Sequence, residues 1–145
     1  MTLHLPAINT QARFLLIGYG LVLLFWMSVE DNGTLSVALL GTGTTVIFGG
    51  YTLLNRFGGR SYKTQSVIIG FVICCACLGA IAPLTTALLM FFKSSWHGHI
   101  FPDYPPAMII AMARYIPIWA LAGGLVGLSL AIFTVLNQSQ TRTQW

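Results

Sequence analysis

The sequence predicts an all-α integral membrane protein, a bundle of four transmembrane helices with both termini in the cytoplasm. Three observations lead there. Of 145 residues, 56% are hydrophobic and only 7% are charged, against about 25% charged in soluble domains. The apolar residues gather into four stretches, each near the roughly 20 residues needed to cross a bilayer. Five of the seven Lys and Arg residues fall on one side of those stretches. Four spans use up nearly all the apolar content, so no soluble catalytic domain fits beside them and the chain reads as a single membrane domain over 1–145.

Met1 to Ala12 is a polar lead with Pro6, read as a frayed or interfacial segment. Span one covers about 13–29. Its exit, Trp26-Met27-Ser28-Val29-Glu30, lacks the small-x-small pattern of a signal cleavage site, so it reads as a retained helix. Glu30-Asp31-Asn32-Gly33 is a turn composition, and so short a link makes spans one and two antiparallel neighbours. Span two, about 34–54, carries Gly41, Gly43, Gly49 and Gly50 among threonines, small residues that admit another helix close to the backbone.

The loop from Asn55 to Thr64 holds Arg56, Arg60 and Lys63, and basic loops stay in the cytoplasm. Span three, about 65–92, has Pro83 near its middle, which removes a backbone donor and predicts a kink. Thr85 and Thr86 stand ready to satisfy the freed carbonyl. Ala107 to Leu136 is apolar over a stretch of about 45 Å if straight, longer than the hydrocarbon core. Pro117 is the natural break, giving a short interfacial helix at about 107–115 and a last span at about 118–136. Gly123 and Gly127 form a GxxxG pair on that span, and 137–145 is a polar tail. The Gly-rich faces of spans two and four are expected to pack against each other or against a partner.

Arg13, Arg56, Arg60, Lys63 and Arg142 lie on one side, and Lys93 and Arg114 on the other with all three acids. That five-to-two bias places both termini inside, in a bacterial plasma membrane or an internal energy-transducing one. Trp26, Trp96, Tyr62 and Tyr104 sit near span ends, as an aromatic belt does. The basic residues are too scattered for nucleic acid. Cys74, Cys75 and Cys77 lie inside span three and read as packed thiols, with no loop cysteine for a disulfide framework.

The richest loop, Lys93 to Pro106, contains His97, His99 and Asp103. Imidazoles with a carboxylate suit a divalent transition metal, so these three are the candidate metal ligands. Arg114 is a charge within an apolar segment, read as snorkelling to lipid headgroups, pairing with an acid, or binding an anionic ligand. No acid lies inside a span, which argues against a proton-coupled exporter. No phosphate loop, Ser-His-Asp pattern or zinc-protease helix is present. The sequence names no cofactor. The function expected is that of an accessory, assembly or structural subunit, more consistent with a non-enzyme than an enzyme, with the bilayer and another membrane protein or a second copy as partners. The alternative is a metal- or ligand-binding membrane protein using the His97/His99/Asp103 loop.

Overall fold

The computed structural model describes residues 2–4, 9–29, 33–97 and 102–142, with the backbone alone at 2–4, 97 and 138–142. The elements in chain order are β1 (Thr2–His4), α1 (Thr10–Ser28), α2 (Thr34–Phe57), β2 (Ser61–Lys63), α3 (Thr64–His97), α4 (Pro106–Ala111), a 3₁₀ turn (Met112–Tyr115) and α5 (Ile116–Arg142). Four helical segments are long and apolar enough to cross a membrane. This fits an all-α bundle and the makeup of a multi-pass membrane protein.

The helices alternate in direction. Gly41 of α2 meets Thr86 of α3 while Gly49 meets Leu78, and Gly127 of α5 meets Phe71 while Gly79 meets Trp119. Arg13, Arg56, Arg60, Lys63 and Arg142 therefore share one end of the bundle, the basic end, and α3 finishes at the other, the His97 end.

The lead before α1 is not wholly irregular. Thr2–His4 pairs antiparallel with Ser61–Lys63, Leu3 opposite Tyr62, so these three residues of the lead form a strand at the basic end. Three residues carry no detectable period, which is why the sequence does not announce it. Asn9 caps α1, its side chain accepting from the Ala12 N–H at 3.0 Å, the usual way of satisfying one of the first-turn donors. Gly59, at φ 73°, turns the chain between α2 and β2, a backbone conformation that glycine adopts without steric cost.

α3 is the helix on which α2 and α5 both lean. Cys75, Gly79, Ala82, Thr86, Met90, Lys93 and His97 recur along it every three or four residues, the spacing of one helix face. Toward the basic end that stripe meets α5. A Cβ on Gly123 would run into the Cys75 carbonyl, one on Gly79 into the Trp119 carbonyl, and one on Gly127 would stand 2.5 Å from the Phe71 oxygen. Backbone touches backbone here because side chains are missing on both sides. Further along, Gly41 sits against the Thr86 backbone, and the Thr45 hydroxyl lies 3.0 Å from the Gly41 carbonyl and 2.9 Å from Thr85 Oγ1.

Two expectations need correction. The small-residue faces of α2 and α5 are directed at α3, not at each other: Gly41 and Gly49 against Thr86 and Leu78, Gly123 and Gly127 against Gly79, Cys75 and Phe71. The threonines after Pro83 do not serve the carbonyl of Gly79, which the proline deprives of its donor. Thr85 Oγ1 donates to Ile81 and Thr86 Oγ1 to Ala82, because a helical threonine reaches only the carbonyl one turn before it.

Helix α3 continues through Pro83. At Pro117 the ladder adjusts: the N–H of Ile116 donates to Ala113 O, the carbonyl that Pro117 has no N–H to satisfy. The 3₁₀ turn just ahead of α5 is the consequence.

α1 is held mainly at two places. Near its middle the Tyr19 hydroxyl donates to the Leu40 carbonyl at 2.5 Å and lies 3.3 Å from Thr44 Oγ1, with room for the ring because residue 43 is glycine. At its end Trp26 is buried. Most of the rest, including Phe14, Leu21 and Phe25, lies open. Gly123→Leu is expected to destroy the bundle, at more than the roughly 1–3 kcal/mol of ordinary overpacking, because a backbone carbonyl cannot step aside. Gly50→Leu, with nothing within 4 Å of the new Cβ, is expected to leave the unfolding temperature in detergent nearly unchanged.

Candidate functional site at the His97 end

The tightest packing at the His97 end surrounds Trp26, Val37, Met90 and Tyr104, with Met27, Leu40, Leu89, Met108, Ile109 and Met112 around them. It draws on the end of α1, the start of α2, the last turns of α3, the loop before α4, and α4 with its 3₁₀ turn. The last turns of α3 extend beyond the expected end at 92, so Lys93, Ser94 and His97 belong to the helix and not to a loop.

Lys93 is wholly buried. Its Nζ stands 3.9 Å from the centroid of the Trp26 ring and 3.5 Å from the Trp26 carbonyl oxygen. An ammonium over an indole face is attracted by the ring quadrupole, by about 2 kcal/mol when both are desolvated, which ties α3 to the end of α1. Tyr104, also buried, donates its backbone N–H to Ser94 Oγ at 3.1 Å and its hydroxyl to the Gly33 carbonyl at 3.4 Å. One residue thus pins the loop to α3 and reaches the N-cap of α2. Sequence reasoning missed this arrangement, placing Lys93 in a loop and Trp26 and Tyr104 in an aromatic belt. The recurrence of Thr86, Met90 and Lys93 on one helical face was the available signal. Of the belt residues, Trp96 is exposed, while Trp26 and Tyr104 turn inward and Tyr62 lies half-buried in β2.

Of the candidate metal ligands, His97 closes α3 one turn beyond Lys93, in the next position of the same stripe. Asp103 is half-buried beside Tyr104, and the Tyr104–Ser94 bond holds its backbone within reach of the end of α3. His99 lies outside the described residues, as do Glu30 and Asp31. Among the described residues no group of three or more His, Cys, Asp or Glu side chains is placed to hold a metal. Arg114 is exposed in the 3₁₀ turn and makes no ion pair among the described residues.

Beside this end cap lies a groove of about 320 Å³. Thr34, Leu35, Ala38 and Thr42 of α2 form one wall, Met112, Tyr115 and Trp119 the other, and Pro83 and Thr86 of α3 the floor. Pro83 and Thr86 are buried, whereas Leu35 is 71% exposed and Tyr115 48%, so the groove opens sideways, between helices.

Comparison with protein-family models, curated proteins and solved structures finds no match for this chain. The residues themselves carry what can be said of the site.

Tyr104→Ala is expected to lower stability in detergent by about 3–5 kcal/mol, the range for removing a buried aromatic ring. Tyr104→Phe, which keeps the ring and gives up the long hydroxyl bond to Gly33, should cost about 1 kcal/mol. Equal losses for the two variants in thermal unfolding would show that the hydroxyl, not the packing of the ring, holds the cap.

Proposed function

We propose that this chain is a non-catalytic four-span membrane protein that acts as an accessory, assembly or structural subunit, through helix packing. The observation that carries the reading is α1. It is held to the remaining helices mainly through Tyr19 and Trp26, while Gly18 and Gly20 have nothing within 4 Å of where a side chain would begin. Gly41 and Gly49 of α2 and Gly123 and Gly127 of α5 are already engaged against α3, whereas Gly18 and Gly20 of α1 offer a small-residue surface to a second membrane protein or a second copy.

In this reading the basic end faces the cytoplasm with both termini, following the five-to-two distribution of Lys and Arg. The membrane is a bacterial plasma membrane. Pro83 and Pro117 bend their helices, and residues 107–115 lie at the boundary of the hydrocarbon core.

Native mass spectrometry of the protein released from mild detergent is expected to show an assembly larger than one chain. Gly18→Leu should reduce the protein to a monomer of unchanged thermal stability, separating loss of assembly from loss of fold. A lone wild-type monomer would end the proposal.

A second reading is favoured by the placement of His97 and Asp103 at one end of the bundle: a metal- or ligand-binding role using His97, His99 and Asp103. Metal content per polypeptide, measured on protein purified without a histidine tag, should then be stoichiometric and fall to background in His97→Ala and His99→Ala. Metal-free wild-type protein would contradict that role.

A further inference from the structure

The connection from α2 to α3 gathers three of the chain's seven Lys and Arg residues. Arg56 lies in the last turn of α2, Arg60 follows the Gly58–Gly59 turn, and Lys63 ends β2. All three are exposed. The acids of the chain, Glu30, Asp31 and Asp103, belong to the connections at the His97 end, so none answers these cations. The connection has a defined shape: the Gly58 N–H donates to the Leu54 carbonyl at 2.8 Å, Gly59 takes φ 73°, and β2 is paired with β1. Side chains alternate along a strand, and Ser61 and Lys63 are exposed where Tyr62 is half-buried, so β2 presents Lys63 outward. Arg60 and Lys63 are about 10 Å apart along extended backbone, and Arg56 is at most about 14 Å from Arg60. These separations are close to the Debye length of about 10 Å at 0.1 M salt, so the three charges act together.

The depth of the cluster names its partner. From Thr34 at the start of α2 to Arg56 is about 33 Å along the helix, against a hydrocarbon core of about 30 Å. With the start of α2 at one boundary, Arg56 emerges in the headgroup layer at the other. Leu54 and Phe57 beside it are exposed, which sets hydrocarbon-facing side chains next to the cations. We infer that the Arg56–Lys63 connection is a binding surface for anionic phospholipid, with headgroup phosphates against Arg56, Arg60 and Lys63 and acyl chains against Leu54 and Phe57. Guanidinium recognises phosphate through paired N–H donors. The choline of a zwitterionic lipid cancels the phosphate charge that a glycerol headgroup leaves free, so charge selects the lipid. The turn and the β1–β2 ladder fix the backbone before the lipid arrives, which reduces the ordering that opposes binding. This surface is independent of the subunit role proposed above, since it uses neither α1 nor the candidate metal ligands.

The test uses the full-length protein in nanodiscs of equal parts phosphatidylglycerol and phosphatidylcholine, released in a mass spectrometer that counts retained lipids. Phosphatidylglycerol is expected to exceed phosphatidylcholine among them. Arg56→Gln, Arg60→Gln and Lys63→Gln should each lower its retention about fivefold, the effect of removing one cation near an anionic headgroup, while Arg60→Lys and Lys63→Arg keep most of it. Arg114→Gln removes an equal charge at the other end of the bundle and should leave retention unchanged. Helicity by circular dichroism confirms that each variant folds, and should one fail, the remaining glutamine variants decide. Equal retention of the two lipids by the wild type, phosphatidylglycerol retention unchanged in the glutamine variants, or an equal loss in Arg114→Gln would overturn the inference.

Discussion

The structure depends on how closely two backbones approach α3. In a bilayer the lipid tails are as apolar as leucine, so burying hydrocarbon gives helices no reason to associate, and contact has to come from dispersion and from hydrogen bonds. Gly79 and Gly123 supply the first, since each lets a carbonyl of the facing helix stand where a side chain would otherwise be. Thr45 with Thr85, and Tyr19 with the Leu40 carbonyl, supply the second. With α3 placed, α2 and α5 have their positions, and the other elements attach to that unit.

The His97 end closes the bundle by different means. There the ring of Tyr104, the side chain of Met90 and the indole of Trp26 fill space, and Lys93 brings a charge into it. A buried cation is costly unless its surroundings answer it, and the Trp26 face and carbonyl are part of the answer. The same stripe of α3 thus does two kinds of work: small residues against a backbone in one half, large ones under a cap in the other. Pro83 lies where the two halves meet, on the floor of the groove.

Much of this was legible in the sequence. Hydropathy and length located the four helices, because twenty apolar residues in a row have few other uses. The missing N–H of Pro117 foretold a change in the helix near residue 116. The glycines of α2 and α5 declared close packing, yet periodicity cannot say which helix approaches, so their orientation toward α3 had to come from coordinates. Lys93 was illegible for a related reason. A lysine at the end of an apolar run normally marks the water boundary, and only the continuation of α3 through His97 turns it inward. The sequence marked the candidate site by residue types alone; His97 and Asp103 lie at one end of the bundle, and His99 lies outside the described residues. Its geometry depends on a loop whose conformation no short pattern specifies, and its Tyr104 anchor looked like a belt residue.

Glycine stripes in membrane helices join different chains as readily as helices of one chain, and in this fold those of α5 belong to the interior, against α3. Cysteine cross-linking tests that placement most directly. A Cβ at Gly124 would stand 3.7 Å from the Ala76 Cβ, close to the separation of about 3.8 Å found in disulfides. With Cys74, Cys75 and Cys77 replaced by alanine, and Ala76→Cys and Gly124→Cys introduced together, mild oxidation in native membranes should form a disulfide within one chain, leaving a monomer with altered gel mobility and no free thiol. Disulfide-linked dimers as the main product, or thiols that stay free, would show that α5 turns its glycines to another chain.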